Sequence, residues 1–320
     1  MGGIAWHPAA GLEVLRLRAQ LLARTRAYFQ TVGVLEVETP ALSSSGTTDP
    51  HILSLATVTA RGTRYLHTSP EFPMKRLLAA GSGSIYQICH VFRDQETGRL
   101  HNPEFTLIEW YRTGQDHWAL MAEVEQLLRA LLGGRCPETP AERLSYRDAF
   151  LRHAGVDPLA ADIIELRRCA REHGIGLDLA GDIDSWRDLL LTHVVEPNLG
   201  RDQLTFLYGY PASQAALARV DKGPPATARR FEIYLSGIEL GNGFHELADP
   251  REWRRRADTE QACRRAQGLP EMPIDTRLDA ALEHGLPDCA GVAVGFDRVV
   301  MLAAGRERLD EVLAFPDELA

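Results

Sequence analysis

The chain has 320 residues and a mass of 35.5 kDa, enough for one large domain or two modest ones with a full buried core. Hydrophobic residues make up 45% and charged residues 25%, which excludes a disordered chain, a collagen-like repeat and a disulfide miniprotein. The 44 acidic residues outnumber the 35 basic ones for a net charge of −9, so the basic footprint needed to wrap nucleic acid is missing.

Only Lys75 and Lys222 are lysines; the other basic residues are arginine. The cysteines, Cys89, Cys136, Cys169, Cys263 and Cys289, are odd in number and form no CxxC pair. Neither a disulfide framework nor a zinc site follows, and a reducing cytoplasm fits best. The start, MGGIAWHPAA, lacks the basic and apolar regions of a secretory leader. No apolar run approaches the ~20 residues of a membrane helix.

In chain order, Leu12 to Phe29 reads as an amphipathic helix with Leu12, Leu15, Leu22 and Phe29 on its apolar face. A short alternating segment, 34–37, stops at Pro40, and 43–50 is a loop by composition. Segments 52–60 and 64–68 read as strands. Ser69 and Pro70 suit the N-cap and first position of a helix that Gly81-Ser82-Gly83 ends. Segments 84–93 and 105–112 predict a strand hairpin with a long polar connector. The stretch from about 116 to 197 reads as a helical insertion. Strands return at 204–208 and 231–239, Pro250 to Gln267 reads as a charged helix with a solvated face, and Gly291 to Gly295 runs into a final helix. Strands, then helices, then strands predict an α+β fold with an antiparallel sheet flanked by helices.

The strands carry charges where a structural strand carries few. Glu109 and Tyr111 share one strand face, a carboxylate beside a phenol, as a grip on an ammonium group requires. Arg93 ends one strand, and Glu232, Glu239, Asn242, His245 and Glu246 follow on another. Carboxylates attract amines and Mg²⁺, whereas arginines clamp phosphate and carboxylate. An amino acid together with a nucleotide satisfies both sets.

Six motifs, in order, carry a family likeness. VGVLEVETP (32–40), FRDQETGRLHNPEF (92–105) and GFDR (295–298) resemble the three signature motifs of class II aminoacyl-tRNA synthetases. SPEFPMK (69–75), EWY (109–111) and GIELGNGFHEL (237–247) resemble the lysyl branch. The chain is most similar to the truncated lysyl-tRNA synthetase paralogues that attach (R)-β-lysine to elongation factor P. The first motif starts at residue 32, leaving too few residues before it for an anticodon-binding domain, so one catalytic domain over 1–320 is expected. Ala293 stands where lysyl-tRNA synthetases usually have glycine, and one added methyl shifts substrate choice about 10–200-fold, here toward a β-amino acid.

The resemblance implies ATP and Mg²⁺, an acyl-adenylate intermediate, a homodimer pairing through the first motif at Pro40, and no tRNA or membrane partner. It implies that Arg93 holds the α-phosphate and the reacting carboxylate, and that Arg298 holds the γ-phosphate end. Asp94, Gln95, Asn102, Phe105, Glu239, Leu240 and Gly295 complete the ATP site, with Phe105 stacked on adenine. Gln95 stands where the family usually has glutamate. Ser69, Pro70, Glu71, Glu109, Tyr111, Glu246 and Ala293 bind the amino acid, and Glu239 with Glu246 hold Mg²⁺ or the amine. His101 and His245 read as structural or phosphate-contacting. Two alternatives use the same residues: an α-lysine ligase with another carrier or a small-molecule acceptor, and a non-catalytic synthetase relic.

Overall fold

A computed structural model of the chain describes residues 6–176 and 181–320. The first five residues of the N-terminal segment and positions 177–180 of the expected helical stretch lie outside the described residues. The chain opens with α1 (Leu12–Thr31), β1 (Leu35–Glu36), β2 (Leu42–Ser43), β3 (Ala56–Thr59), β4 (Gly62–Leu66) and α2 (Glu71–Ala79). Two long strands follow, β5 (Ile85–Phe92) and β6 (Glu104–Thr113), then α3 (His117–Leu132), β7 (Glu142–Ser145), α4 (Tyr146–His153), α5 (Ile163–Glu172) and α6 (Ile183–Leu190). After them come β8 (Thr205–Tyr208), β9 (Val220–Asp221), β10 (Thr227–Ala228), β11 (Arg230–Leu235) and β12 (Ile238–His245). The last elements are α7 (Pro250–Ala266), α8 (Thr276–His284), β13 (Cys289–Gly295) and α9 (Phe296–Ala304).

The main sheet runs β1-β5-β6-β13-β12-β11-β8-β7. Its inner strands are antiparallel, as expected of an α+β fold, whereas β1 on β5 and β7 on β8 pair in parallel at the two edges. The period-two alternation of β6 divides the protein in two. Ile108 and Trp110 enter the core beneath α1, α3 and α9, and Glu109 and Tyr111 face the other way. In that core Phe29 stacks on Tyr86 at 4.1 Å and meets Trp110 edge-on at 5.4 Å. The buried Trp110 Nε1 donates to Glu123 Oε1 at 2.9 Å.

Local chemistry sets most element ends. Asp116, Ser145, Asp162, Asp182, Asp249 and Asp275 cap α3 to α8, each accepting a backbone N–H of the first turn. Four expectations change. The buried face of α1 is Val14, Leu21, Thr25 and Phe29, while Leu12 is 64% exposed. Both stripes have helical spacing, and Thr25 tolerates burial because its hydroxyl donates to the Leu21 carbonyl at 2.9 Å. The segment expected as one strand, 231–239, is a hairpin. Ser236 and Gly237 take φ of +56° and +73° between the paired Leu235 and Ile238, the two-residue turn that strand twist favours. The stretch expected to be helical contains β7, which extends the sheet edge. Finally, α2 starts at Glu71 rather than Pro70, and Ser69 Oγ accepts the Glu71 N–H at 3.0 Å.

One buried carboxylate ties the layers together. Asp297, in the first turn of α9, accepts from the Arg18 guanidinium of α1 and from Thr106 N of β6 at 2.8 Å. Arg18 also donates to Thr106 Oγ1 at 2.7 Å and lies over the Phe296 ring. Removing one partner of such a pair leaves the other uncompensated. Asp297→Ala should therefore lower unfolding stability by about 3 kcal/mol, read as a lower urea midpoint at constant m-value.

Candidate active site

The sheet face opposite the core borders a cavity of about 700 Å³, walled by the β5–β6 hairpin, β12, β13, α2, α7 and the loop after β2. Arg93, Arg298, Glu71, Glu109, Tyr111, Glu239 and Glu246 all line it. So do Ser69, Asn102, Phe105, Leu240, Ala293 and Gly295.

One end gathers carboxylates. Glu109 accepts from Ser69 Oγ at 2.6 Å and from the Tyr111 hydroxyl at 2.7 Å. Burial, then the nearby Glu71 charge, push the Glu109 carboxyl up to about 8. Burial, then Glu109, also hold the Tyr111 hydroxyl well above its usual range. Behind the lining, the fully buried Lys75 Nζ bridges Glu71 Oε1 and Glu246 Oε2, each at 2.6 Å. Burial opposes its charge, but Glu246 and Glu71 together hold its pKa above the ordinary lysine value. Glu246 itself is raised to about 7, by burial first, with Lys75 pulling the other way. Gly291 of β13 makes room here. A Cβ at that position would lie 2.3 Å from the Tyr111 ring and 2.6 Å from Glu246 Oε1. Ala293 stands opposite Glu109 in the β6–β13 register. Carboxylates beside hydroxyls, with one internal ammonium, are a chemistry that suits further ammonium groups.

The other end gathers arginines. The Arg93 guanidinium lies 5.0 Å from the Phe105 ring centre, with Nη1 3.5 Å from Glu96 Oε1. Arg298 donates to the Glu239 carbonyl at 2.7 Å and lies 3.4 Å from Glu239 Oε2. Its Nη2 is 3.0 Å from His101 Nε2, which therefore accepts. Burial, then Arg298, lower the His101 pKa and keep the ring neutral. Burial, then Glu232, raise the Glu239 pKa. Glu232 accepts from Tyr210 at 2.5 Å and from Tyr234 and Arg230 at 2.6 Å. Two guanidiniums near a half-buried carboxylate suit a polyphosphate with its counter-ion.

Several placements correct the sequence reading. Pro70, Asp94 and Gln95 are outside the cavity lining. Gln95 has φ of +64° and is exposed, so the chain turns there and brings Glu96 to the cavity instead. Strict strand alternation fails because 94–95 is a turn. Asn102 lines the cavity, but its amide serves the backbone, donating to Glu104 O and accepting from Asp317 N. His245 is outside the lining, with its Nε2 2.9 Å from Asp288 Oδ1.

Glu239 and Glu246 cannot share one Mg²⁺, because seven residues along an extended chain span about 20 Å. Among the described residues no group of three or more metal-ligating side chains occurs. Mg²⁺ on a nucleotide needs only one or two carboxylates, and the acidic side chain acting most strongly on Glu239 is Glu232. Glu239 borders the cavity and fits that role, whereas Glu232 is outside the lining with both oxygens engaged by Arg230, Tyr210 and Tyr234.

Lys75, Glu96, Gly291 and part of α7 are site residues that the sequence reading missed. Trp253, Ala257 and Gln261 recur every four residues and mark the inner face of α7. From this helix Arg256 donates to the Ala216 and Ala218 carbonyls at 2.6 and 2.8 Å, and Glu260 accepts from Thr48. Burial pushes the Glu260 carboxyl up to about 7.

A family profile described as tRNA synthetases class II (D, K and N) matches residues 9–319. A Yersinia enterocolitica protein named elongation factor P–(R)-beta-lysine ligase is 50% identical over 98% of this chain and 97% of its own length. Proteins of the same name from Klebsiella pneumoniae strain 342 and Pectobacterium carotovorum are each 49% identical, over 97% and 99% of this chain and 97% and 98% of their own lengths. With its signature arginines in one cavity and this match over nearly its whole length, the chain belongs to the class II tRNA synthetase family.

Proposed function

We propose that the chain is an ATP-dependent ligase that activates (R)-β-lysine as an acyl-adenylate and transfers it to a lysine ε-amine of elongation factor P. The observation that carries this reading is one cavity lined by Glu71, Glu109 and Glu246 at one end and by Arg93 and Arg298 at the other, groups suited to ammonium and phosphate. The names of the full-length relatives supply the acyl donor and the acceptor.

In the first step a carboxylate oxygen of the amino acid attacks the α-phosphorus of ATP, and pyrophosphate leaves. Arg93 neutralises charge on the α-phosphate and orients the carboxylate, and Arg298 holds the γ-phosphate end. Phe105 offers a ring face to adenine, and Glu96 is the carboxylate aimed at the nucleotide. Mg²⁺, held at Glu239, would screen the phosphate charges when bound. Glu71, Glu109, Tyr111 and Glu246 grip the two ammonium groups. In the second step the acceptor nitrogen attacks the acyl carbon, AMP leaves, and the amine loses a proton. The Ala293 methyl narrows the space opposite Glu109 and favours the β-isomer. The reading includes a single catalytic domain with an inserted segment at about 116–197, a two-fold homodimer and a cytoplasmic location. Exposed Leu35 and Leu42 flanking Pro40 support pairing of two copies. No helix among the described residues is long and apolar enough to cross a membrane.

Incubation with ATP, (R)-β-lysine and elongation factor P should add one β-lysyl unit by intact mass, with α-lysine a poorer substrate in pyrophosphate exchange. No mass gain, or faster exchange with α-lysine, would refute the assignment. Glu96→Ala should raise the KM for ATP about tenfold, while Gln95→Ala changes it less than about twofold. An equal loss in both variants would refute the inward placement of Glu96. An ammonium pairs with ionised Glu109, so below about pH 8 binding must expel a proton. The KM for the amino acid should fall as pH rises toward 8, and Glu109→Gln should flatten that slope.

A further inference from the structure

Lys75 has an ammonium in the one place where the pocket is built to hold an ammonium. It does not border the cavity; it stands behind Glu71 and Glu246 and takes one oxygen from each. Among the described residues, no protein donor reaches Glu71 Oε2 or Glu246 Oε1. The space left by Gly291 adjoins Glu246 Oε1, which places that oxygen on the cavity side. Once an ammonium ligand draws all three carboxylates into their ionised form, they and the one internal ammonium leave two net negative charges. Without Lys75 there would be three, crowded in a buried site where like charges repel strongly.

We propose that Lys75 is a positioning and specificity residue that sets the pocket at two uncompensated negative charges, matching a substrate with two ammonium groups. This deepens the ligase reading and rests on it. Lys75 holds Glu71 and Glu246 apart by one oxygen each, so the substrate's own ammonium groups meet the remaining oxygens. An amino acid with one ammonium group leaves a charge unmatched and is rejected at binding.

The test is ATP–pyrophosphate exchange with a diamino acid, with wild-type protein as the control. No exchange by the wild type would refute the ligase reading itself. With an active wild type, Lys75→Met should raise the KM for the diamino acid about 10–100-fold and change kcat less than about threefold. Lys75→Ala should regain activity with added ethylammonium, which should only inhibit the wild type. In a Glu71→Gln background, which has already lost one negative charge, Lys75→Met should cost nothing further in KM. This double variant also carries the test should Lys75→Met alone fail to fold, since it lacks the uncompensated charge. An unchanged KM in folded Lys75→Met, no recovery with ethylammonium, or a double variant weaker than Glu71→Gln alone would overturn the proposal.

Discussion

Carboxylates that share a buried pocket repel one another, and the amine end of the cavity is organised around that repulsion. Burial raises the cost of ionising Glu109 and Glu246, and the Glu71 charge adds to it for both. Each has its own relief. Two hydroxyls serve Glu109, and a shared ammonium serves the other two. What remains is a poised deficit of positive charge that a cationic ligand can fill. At the other end of the cavity Arg93 and Arg298 keep only loose contact with the Glu96 and Glu239 side chains.

These charges can be held in place because the sheet is rigid beneath them. On β6, neighbouring residues serve opposite layers: Trp110 is locked among Phe29 and Glu123, while Glu109 and Tyr111 project into the cavity. Packing on one face therefore orients chemistry on the other. The Asp297 clamp adds a second tie, fastening the start of α9 to β6 and α1 next to Arg298. A site mounted on strands and helix starts has less freedom than one on loops.

Much of this was legible in the sequence. Glu109 and Tyr111 on one strand face, Arg93 at a strand end, and the α+β order follow from residue type and local spacing, while Arg298 came with the resemblance of the GFDR motif. What local spacing could not supply was contact between distant segments. Local spacing says nothing of Lys75's role, since its partner Glu246 lies far along the chain. Glu96 was missed because a left-handed residue at Gln95 breaks strand alternation and turns the chain. The Ser236–Gly237 hairpin was missed, although serine-glycine is a turn signal, because apolar residues run up to the turn on both sides. The solvated reading of α7 overlooked a four-residue recurrence among many charges.

Strand β13 runs along the cavity with no side chain at Gly291, a single methyl at Ala293 and none at Gly295. The width of the chamber is thus written in main chain, which cannot swing aside as a long side chain can. Any replacement at Gly291 thrusts atoms into the Tyr111 ring and Glu246, so drift there closes the chamber. Only Ala293 has an atom to give up. Along this wall, evolution has many ways to constrict the enzyme's diet and a single step by which to broaden it.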